Sequence, residues 1–336
     1  MRVTRRGVMG AAGAALALPG VVRKAHAAEY TWKFGHSAPT SFPLHIRLVE
    51  AAARIKQQSG GRMDLQIFPN GQLGGDNDLL SEARSGAIQF CQPTGQILAT
   101  ILPVTAISAL GFIWSGYEKV WPAMDGGLGK YVRDQITAKA GLVPMERMWD
   151  LGFRQITSNT KPIRSAADLV GFKIRVPVAP SLVSLFQTLK AAPLALQFTE
   201  LYSALQTHIA DGQENPLELI VAAKLYEVQK YCSITNHVWD GHWMCCNAAA
   251  WKGLPDDLKT IVANNLNQSA LDERGDIGRL DASTQSDLEK KGMVFNRADT
   301  ESFRTGLRDG GFYKYWHKKL GDEPWQVLQK YAGALA

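Results

Sequence analysis

One arginine stands where the sequence predicts that a strand gives way to a helix. The segment FKIRV alternates apolar with basic residues, so Lys173 and Arg175 are expected on the strand face opposite its apolar side chains. Two prolines then end the strand before a segment with helical periodicity. In open α/β sheets, ligands bind beyond the carboxyl ends of the strands. Arg175 is therefore a candidate ligand-binding residue.

Sequence patterns typical of enzyme active sites are absent. The chain contains no G-x-S-x-G elbow, no H-E-x-x-H pair, no G-x-x-x-x-G-K phosphate loop and no G-x-G-x-x-G dinucleotide fingerprint. His242 lies three residues before Cys245, but the segment has strand character, so this spacing does not indicate a base beside a thiol nucleophile. We therefore predict no catalytic residue, no metal and no cofactor.

The first 27 residues have the composition of an export signal. The pair Arg5-Arg6 precedes a small-apolar run over residues 10–22, and Ala25 and Ala27 are small residues at the positions that signal peptidase requires. The arginine pair favours twin-arginine export, with general secretion as the alternative. The apolar run is shorter than the roughly 20 residues that span a bilayer. We therefore expect a cleaved signal and a periplasmic mature protein.

The charge of the chain lies mostly in this signal. The whole sequence carries a formal net charge of +6, but five of its 37 basic residues and none of its 31 acidic residues belong to the first 27 positions. The remaining 309 residues are therefore almost neutral, which removes any compositional argument for nucleic acid as a partner. The chain has four cysteines, Cys91, Cys232, Cys245 and Cys246, and they lack C-x-x-C spacing. They are predicted to be small buried residues, although a disulfide between two of them stays possible in an oxidising compartment.

Strand and helix patterns alternate after the signal. Tyr30–His36 and Arg62–Phe68 are predicted strands, and Leu44–Gln58 is a predicted amphipathic helix between them. Such alternation indicates α/β units with a largely parallel sheet. The stretch Pro255–Lys291 predicts a long helix that packs across two domains. We predict a signal over 1–27, a first α/β lobe over 28–150, a second lobe with crossover hinge strands over 151–250, and bracing helices over 251–336.

Three blocks of the chain follow one another in a specific order. They are SGGRMDLQIFPNGQLGGDNDLLSEARSGAIQF (59–90), GFRQITSNTKPIRSAADLVGFKIRVP (152–177) and FTELYSALQTHIADGQENPL (198–217). In this order the blocks resemble the DctP-type solute-binding proteins of tripartite ATP-independent periplasmic (TRAP) transporters. The resemblance implies a two-lobed periplasmic-binding-protein fold with hinge strands and a long domain-spanning helix. It also implies closure on a small organic acid and TRAP membrane permease subunits as partners.

The resemblance assigns roles to three residues. Arg175 matches the family arginine that forms a salt bridge with the ligand carboxylate, and Arg154 matches a second family arginine. Asn215 matches the asparagine of the D-G-Q-E-N-P loop and offers an amide donor to the carboxylate. The chain departs from the family pattern at His208, where glycine is usual, and at Gly111, where proline is frequent.

The rest of the cleft must determine selectivity. Positions that follow predicted strand ends are where such folds place ligand contacts. On this basis the candidate lining residues are His36, Phe42, Gln72, Thr94, Trp149, Asp150, Trp239 and Asp240.

Three ligand classes fit these candidates. If Trp149 and Trp239 face the cleft, they favour an aromatic acid or a branched 2-oxo acid with a flat or apolar body. Asp150 and Asp240 could supply polar partners for the hydroxyl groups of a sugar acid, so this class is an alternative. A C4-dicarboxylate is the third choice. A sensor subunit for a membrane receptor would use the same fold and site. Some family members form homodimers through their C-terminal helices, and the sequence does not decide this.

Overall fold

The computed structural model describes residues 27–335, with the side chains of residues 281 and 282 excepted. Apart from Ala27, the predicted export signal lies outside the described residues. Over this described range, each helix is too short or too polar to cross a bilayer.

Strands of the described chain form two sheets. The first sheet has the order β2-β1-β3-β10-β4 and the second has the order β11-β9-β5-β8-β6-β7. The strands are β1 (Tyr30–Gly35), β2 (Met63–Phe68), β3 (Phe90–Cys91), β4 (Leu142–Pro144), β5 (Trp149–Ser158), β6 (Lys173–Val176), β7 (Ala192–Ala195), β8 (Gly212–Asn215), β9 (Tyr231–His242), β10 (Cys245–Asn247) and β11 (Val294–Arg297).

Helices cover the faces and ends of both sheets. Short 3₁₀ turns at Pro103–Ala109, Ala166–Leu169 and Leu225–Glu227 connect some of them. The α-helices are α1 (Pro43–Gln58), α2 (Asp76–Ser85), α3 (Gly95–Leu98), α4 (Tyr117–Met124), α5 (Gly127–Lys139), α6 (Pro180–Thr188), α7 (Phe198–Gln206), α8 (Leu217–Ala222), α9 (Ala248–Gly253), α10 (Asp256–Lys290), α11 (Thr300–Asp309), α12 (Phe312–Leu320) and α13 (Asp322–Ala332).

The first sheet begins with parallel strands, as the alternating sequence predicts. β1 pairs parallel with both β2 and β3, and α1 crosses between β1 and β2. Leu44, Leu48, Ala51 and Ile55 recur every three or four residues on α1, and all four are buried. They belong to a core that includes Phe34 of β1 and side chains of α10. This packing leaves the carboxyl ends of β1 and β3 free to face the second sheet.

Two long antiparallel strands connect the sheets. β5 pairs with β9 along most of its length, and the register shifts near Gly152, which has a φ of 111°. At its end, β9 reaches the first sheet through a bridge between His242 and Thr94, and the chain then enters β10. The crossing strands therefore bring side chains from both sheets to one place.

The predicted long helix is present as α10. It contains 35 residues and is about 52 Å long, and Gly275 and Gly278 do not interrupt it. α10 packs on α1, which lies beside the first sheet, and on β5 and α8, which belong with the second. Arg47 of α1 forms a 2.6 Å salt bridge with Asp276 of α10. The helix thus contacts both sheets along one side of the molecule.

The four cysteines are buried and free, as small core residues are expected to be. Cys245 and Cys246 lie in β10, between β3 and β4. Burial raises the pKa of both thiols well above its ordinary value. Each therefore stays protonated and unreactive at neutral pH.

Candidate ligand-binding site

A cavity lies where strand ends from the two sheets meet. Its residues surround about 540 Å³ that protein atoms do not fill, part of it continuous with solvent. Its walls combine charged, amide and hydroxyl groups with apolar side chains. The lining residues are Ser37, Ala38, Phe42, Asp76, Gln92, Thr94, Ile97, Leu151, Arg154, Arg175, Pro177, Phe198, Asn215, Leu219, Asp240 and His242.

Arg175 projects from β6 into the cavity wall. Lys173 at the start of the strand is exposed, whereas Arg175 is 1% exposed and lines the cavity. The Nε and Nη2 atoms of Arg175 donate to the carbonyl oxygen of Leu196 at 3.0 and 2.6 Å. Its Nη1 atom is buried and has no partner among the described residues. Burial lowers the pKa of Arg175 to about 10, so the guanidinium stays cationic at neutral pH.

Arg154 projects from β5 and forms an ion pair within the protein. Its Nε and Nη2 atoms both donate to the carboxylate of Glu214 on β8, the latter at 2.7 Å. Nη2 also donates to the Asn215 side-chain oxygen at 3.1 Å, and His237 Nε2 lies 3.2 Å from the Glu214 carboxylate. Burial acts to raise the pKa of Glu214, but the charge of Arg154 together with hydrogen bonds from His237 and Arg154 outweighs burial, so the pKa of Glu214 is lowered. The ion pair is therefore closed and ionised.

Two acidic side chains line the same cavity. Burial raises the pKa of Asp240 on β9 to about 7, against the nearby charge of Arg154 and a hydrogen bond from the Gly241 N–H at 3.0 Å. Burial also raises the pKa of Asp76, at the start of α2, although its carboxylate accepts a 2.6 Å hydrogen bond from Ser37. The cavity therefore contains acidic groups that a ligand with hydrogen-bond donors can satisfy.

Two further polar atoms in the lining lack protein partners. Gln92 Oε1 and His242 Nδ1 are buried, and neither has a hydrogen-bond partner among residues 27–335. Burial lowers the pKa of His242 to about 3, so its imidazole is neutral at neutral pH. Buried polar atoms are normally hydrogen-bonded, so these two atoms of the lining can bind polar groups of a ligand in the cavity.

Six of the residues predicted from the sequence line this cavity. Four lie on the second-sheet side and two on the first-sheet side, namely Arg175, Arg154, Asn215 and Asp240 on the former and Phe42 and Thr94 on the latter. Phe42 is fully buried just before α1, and Thr94 caps α3 by accepting a hydrogen bond from Ile97 N–H at 3.2 Å. The structure thus brings together the arginines, the amide and two candidates for the opposite wall.

The predicted aromatic lining is corrected by the structure. Trp149 and Trp239 are 0% and 1% exposed, and neither lines the cavity, because both pack in the hydrophobic cores beside it. The indole N–H of Trp239 donates to Asp150 at 2.8 Å, which places the Asp150 carboxyl in the same buried layer. The aromatic-acid preference depended on tryptophan side chains that face the cavity, and Trp149 and Trp239 do not line it.

Two other candidates also lie outside the cavity lining. His36 is buried at the end of β1, with its Nε2 atom 3.1 Å from Nδ1 of His45. Gln72 is exposed in the turn after β2. In both cases a neighbour along the chain lines the cavity instead, namely Ser37 and Asp76. The strand-end rule therefore selects the correct segments but not the residue within each segment.

Several lining residues were not among the sequence-based candidates. Gln92 directly follows β3 and therefore satisfies the same strand-end rule that selected Thr94. Asp76 begins a helix after the glycine-rich loop, which is a second available signal. Phe198 and Leu219 carry no comparable signal, because apolar residues of α7 and α8 reach the cavity only through the packing of the second sheet.

Comparison with known proteins places this arrangement in a family context. Residues 34–310 match the family model described as bacterial extracellular solute-binding protein, family 7 (DctP). A solute-binding protein of Roseobacter denitrificans is 32% identical over 285 residues, which is 85% of this chain and 87% of that protein.

Two solved structures illustrate the fold and its range of ligands. A TRAP periplasmic solute-binding protein from Roseobacter denitrificans with bound L-galactonate is 30% identical and superposes with a TM-score of 0.84, over 91% of this chain and 99% of that one. A TRAP periplasmic solute-binding protein from Sulfurospirillum deleyianum with bound succinate is 26% identical, with a TM-score of 0.84 over 90% and 99% of the two chains.

Proposed function

This chain belongs to family 7 of the bacterial extracellular solute-binding proteins, and from this membership we propose how its cavity binds a ligand. It is a periplasmic solute-binding subunit of a TRAP transporter, which binds a small acid and works with membrane permease subunits, and it is not an enzyme. The family, the fold class and the periplasmic location predicted from the sequence are thereby confirmed.

Arg175 is proposed to bind the ligand carboxylate. The supporting observation is its buried guanidinium, whose Nη1 atom has no partner among the described residues and whose other contacts are to one carbonyl oxygen. A buried charge without a counter-ion is unfavourable, and a carboxylate supplies both the opposite charge and the missing acceptor. Binding of an acid therefore relieves a cost that the unliganded protein carries.

Arg154 and Asn215 are proposed to assist without adding net charge. The Glu214 carboxylate already neutralises the charge of Arg154. Arg154 therefore contributes hydrogen bonds to the ligand more than net electrostatic attraction. Asn215 accepts from Arg154 and donates one N–H to Gln213 at 2.5 Å. Its amide has a second N–H, which remains for a ligand oxygen.

A sugar acid is the ligand class that the cavity supports best. The lining contains carboxyl, amide, hydroxyl and imidazole groups, and a related protein has bound L-galactonate. A polyhydroxylated body satisfies such groups, whereas a purely apolar body leaves them without partners. The tryptophans that favoured a flat ligand lie outside the lining.

An aromatic or branched 2-oxo acid is the second candidate. The cavity lining also contains apolar side chains, among them Phe42, Phe198 and Leu219. These side chains can pack on a branched or planar ligand body. The two ligand classes therefore differ in whether the ligand body contacts the polar or the apolar residues of the lining.

The test is a binding screen of residues 28–336. Thermal shift and calorimetry with sugar acids, 2-oxo acids, aromatic acids and dicarboxylates should give a stabilising ligand, which at 100 times its dissociation constant adds about 2.7 kcal/mol. Arg175→Ala should weaken the binding free energy of that ligand by about 2–5 kcal/mol, because the substitution removes one partner of a buried charged pair.

The matched control is Arg297→Ala, an exposed arginine outside the cavity lining. It should leave binding unchanged. Circular dichroism establishes that both variants are folded. If Arg175→Ala binds the ligand as tightly as the wild type does, the proposed carboxylate site is wrong, and if no carboxylate stabilises ligand-free wild-type protein, carboxylate capture itself is wrong.

A further inference from the structure

One wall of the cavity is built from four polar side chains, each of which contains an atom that can accept a hydrogen bond. We define the acceptor wall as Gln92, Thr94, Asp240 and His242. The bridge between Thr94 and His242 holds the end of β9 against the segment after β3, so these four residues form one surface. Thr94 also forms a hydrogen bond with Asp240, which ties the two halves of the wall together.

The atoms that this wall leaves without partners specify complementary ligand groups. Gln92 Oε1 requires a donor. His242 Nδ1 is part of a neutral imidazole, and depending on its tautomer it requires either a donor or an acceptor. A hydroxyl group both donates and accepts, so it satisfies either form. Ligand hydroxyls therefore match the two buried atoms, and a methylene chain does not.

The charges around the cavity also bear on a second ligand carboxylate. Arg154 is neutralised by Glu214, so Arg175 is the one lining cation of the described chain without a carboxylate partner. Asp240 and Asp76 line the remaining space. After one ligand carboxylate pairs with Arg175, a second has no free cation to meet and approaches acidic groups instead. A second ligand carboxylate would therefore be buried without a counter-ion, and Asp240, whose pKa burial raises to about 7, could lie beside it only after taking up a proton. Both effects make binding of a dicarboxylate unfavourable.

We propose that the acceptor wall makes this protein selective for monocarboxylic acids with hydroxylated carbon chains and causes it to reject dicarboxylates of the same length. Gln92 and His242 bind ligand hydroxyls, and Asp240 excludes a second carboxylate. The inference rests on the proposed function, because it requires the first carboxylate at Arg175.

A pair of matched acids isolates the effect of the second carboxylate. L-galactonate and galactarate have the same six-carbon hydroxylated chain and differ at one end, where a hydroxymethyl group replaces a carboxylate. Calorimetry should show that the wild type binds L-galactonate, or a shorter aldonate of four or five carbons, at least about 100-fold more tightly than the corresponding aldarate. Asp240→Asn keeps the size of the side chain and should reduce this ratio about tenfold or more.

Two further variants complete the design. Gln92→Met removes the acceptor at similar volume and should weaken aldonate binding about tenfold, while binding of the corresponding acid without hydroxyls changes little. Asp309→Asn removes an exposed carboxylate outside the cavity lining and should leave the ratio unchanged.

The outcomes separate this inference from the proposed function. If Arg175→Ala abolishes acid binding but the wild type binds aldarates as tightly as aldonates, the carboxylate site stands and the acceptor wall does not select. The same conclusion follows if Asp240→Asn and Gln92→Met, both folded, leave the aldonate-to-aldarate ratio and the aldonate affinity unchanged. A wild-type protein that binds no aldonate of the series overturns the inference directly.

Discussion

The two arginine sites of the cavity are equally buried but differ in how their charge is compensated. Arg154 is 2% exposed and forms two side-chain hydrogen bonds to the carboxylate of Glu214. Arg175 is 1% exposed, and within the described residues its guanidinium donates hydrogen bonds to the carbonyl oxygen of Leu196 alone. One site is thus an ion pair within the protein, and the other is a cation that the described part of the chain does not pair.

Sheet order explains how one carboxylate serves one arginine. β8, which carries Glu214, lies between β5 with Arg154 and β6 with Arg175. The carboxylate turns toward Arg154, and its charge reaches Arg175 only through space, where it partly opposes the lowering of the Arg175 pKa by burial. The comparison supports the proposal that Arg175 binds the ligand carboxylate, because Arg154 already has a counter-ion within the protein.

The largest expected effect comes from removing the carboxylate between the arginines. Glu214→Gln leaves Arg154 buried and uncompensated, so it should reduce the free energy of unfolding by about 3–5 kcal/mol. Urea denaturation measures this change. In this variant Arg154, like Arg175, has no carboxylate partner within the protein. A bound carboxylate should therefore raise the melting temperature of the variant by more than it raises the melting temperature of the wild type.

Glu289→Gln provides the control for this prediction. Glu289 is exposed near the end of α10 and contacts the neutral amide of Gln285, so its replacement should change stability by less than about 0.5 kcal/mol. A similarly small loss for Glu214→Gln would break the comparison, since Arg154 would then tolerate the same lack of a counter-ion as Arg175.

Strand alternation and the family resemblance were sufficient to predict the arginine sites. Alternation in FKIRV placed Arg175 on the strand face opposite the apolar residues, and resemblance added Arg154 and Asn215. Neither source predicted that Glu214 would pair with Arg154, although Glu214 directly precedes Asn215. That choice depends on which strands flank β8, and the order of strands in a sheet is a long-range property.

The tryptophans show why the opposite wall was harder to predict. Side chains on a strand alternate between faces, so a shift of one residue moves every following side chain to the other face. β5 has such a shift between Asp150 and Gly152, and a second one lies between Arg154 and Ile156. Position near a strand end therefore did not reveal that Trp149 and Trp239 enter the cores.

A pH-dependent effect is expected where β5 meets the long helix. Burial raises the pKa of Asp150 to about 7, and burial together with the charge of Asp150 raises the pKa of Glu273 on α10, whose carboxylate accepts the Asp150 N–H at 2.9 Å. A carboxyl pKa raised on folding means that stability is greatest below the unfolded pKa and is lost as pH rises from about 4 to about 7.

Asp150→Asn removes one of these buried acids and keeps an acceptor for the Trp239 indole. The variant should be more stable than the wild type at pH 8, by about 1–4 kcal/mol, and the difference should shrink toward pH 4. Thermal unfolding at pH 4, 6 and 8 checks this trend. A constant difference across this range would show that Asp150 does not titrate there. The charge of the Asp150 carboxylate would then be compensated within the protein, as the charge of Arg154 is and that of Arg175 is not.

The smallest expected effect concerns the turn that leads into the Glu214 strand. His208 has a φ of 57°, in the left-handed region where a side chain costs about 1–2 kcal/mol, and the family resemblance expects glycine here. His208→Gly removes this strain but increases the entropy of the unfolded chain, so the free energy of unfolding should rise by up to about 1 kcal/mol. Gln206→Gly, two residues earlier at the end of α7, relieves no such strain and should lower stability by about 0.5–1 kcal/mol. If urea denaturation gave both variants the same loss, the turn would not be strained by its histidine, and the position of β8 would depend on its strand pairing and the Arg154 ion pair alone.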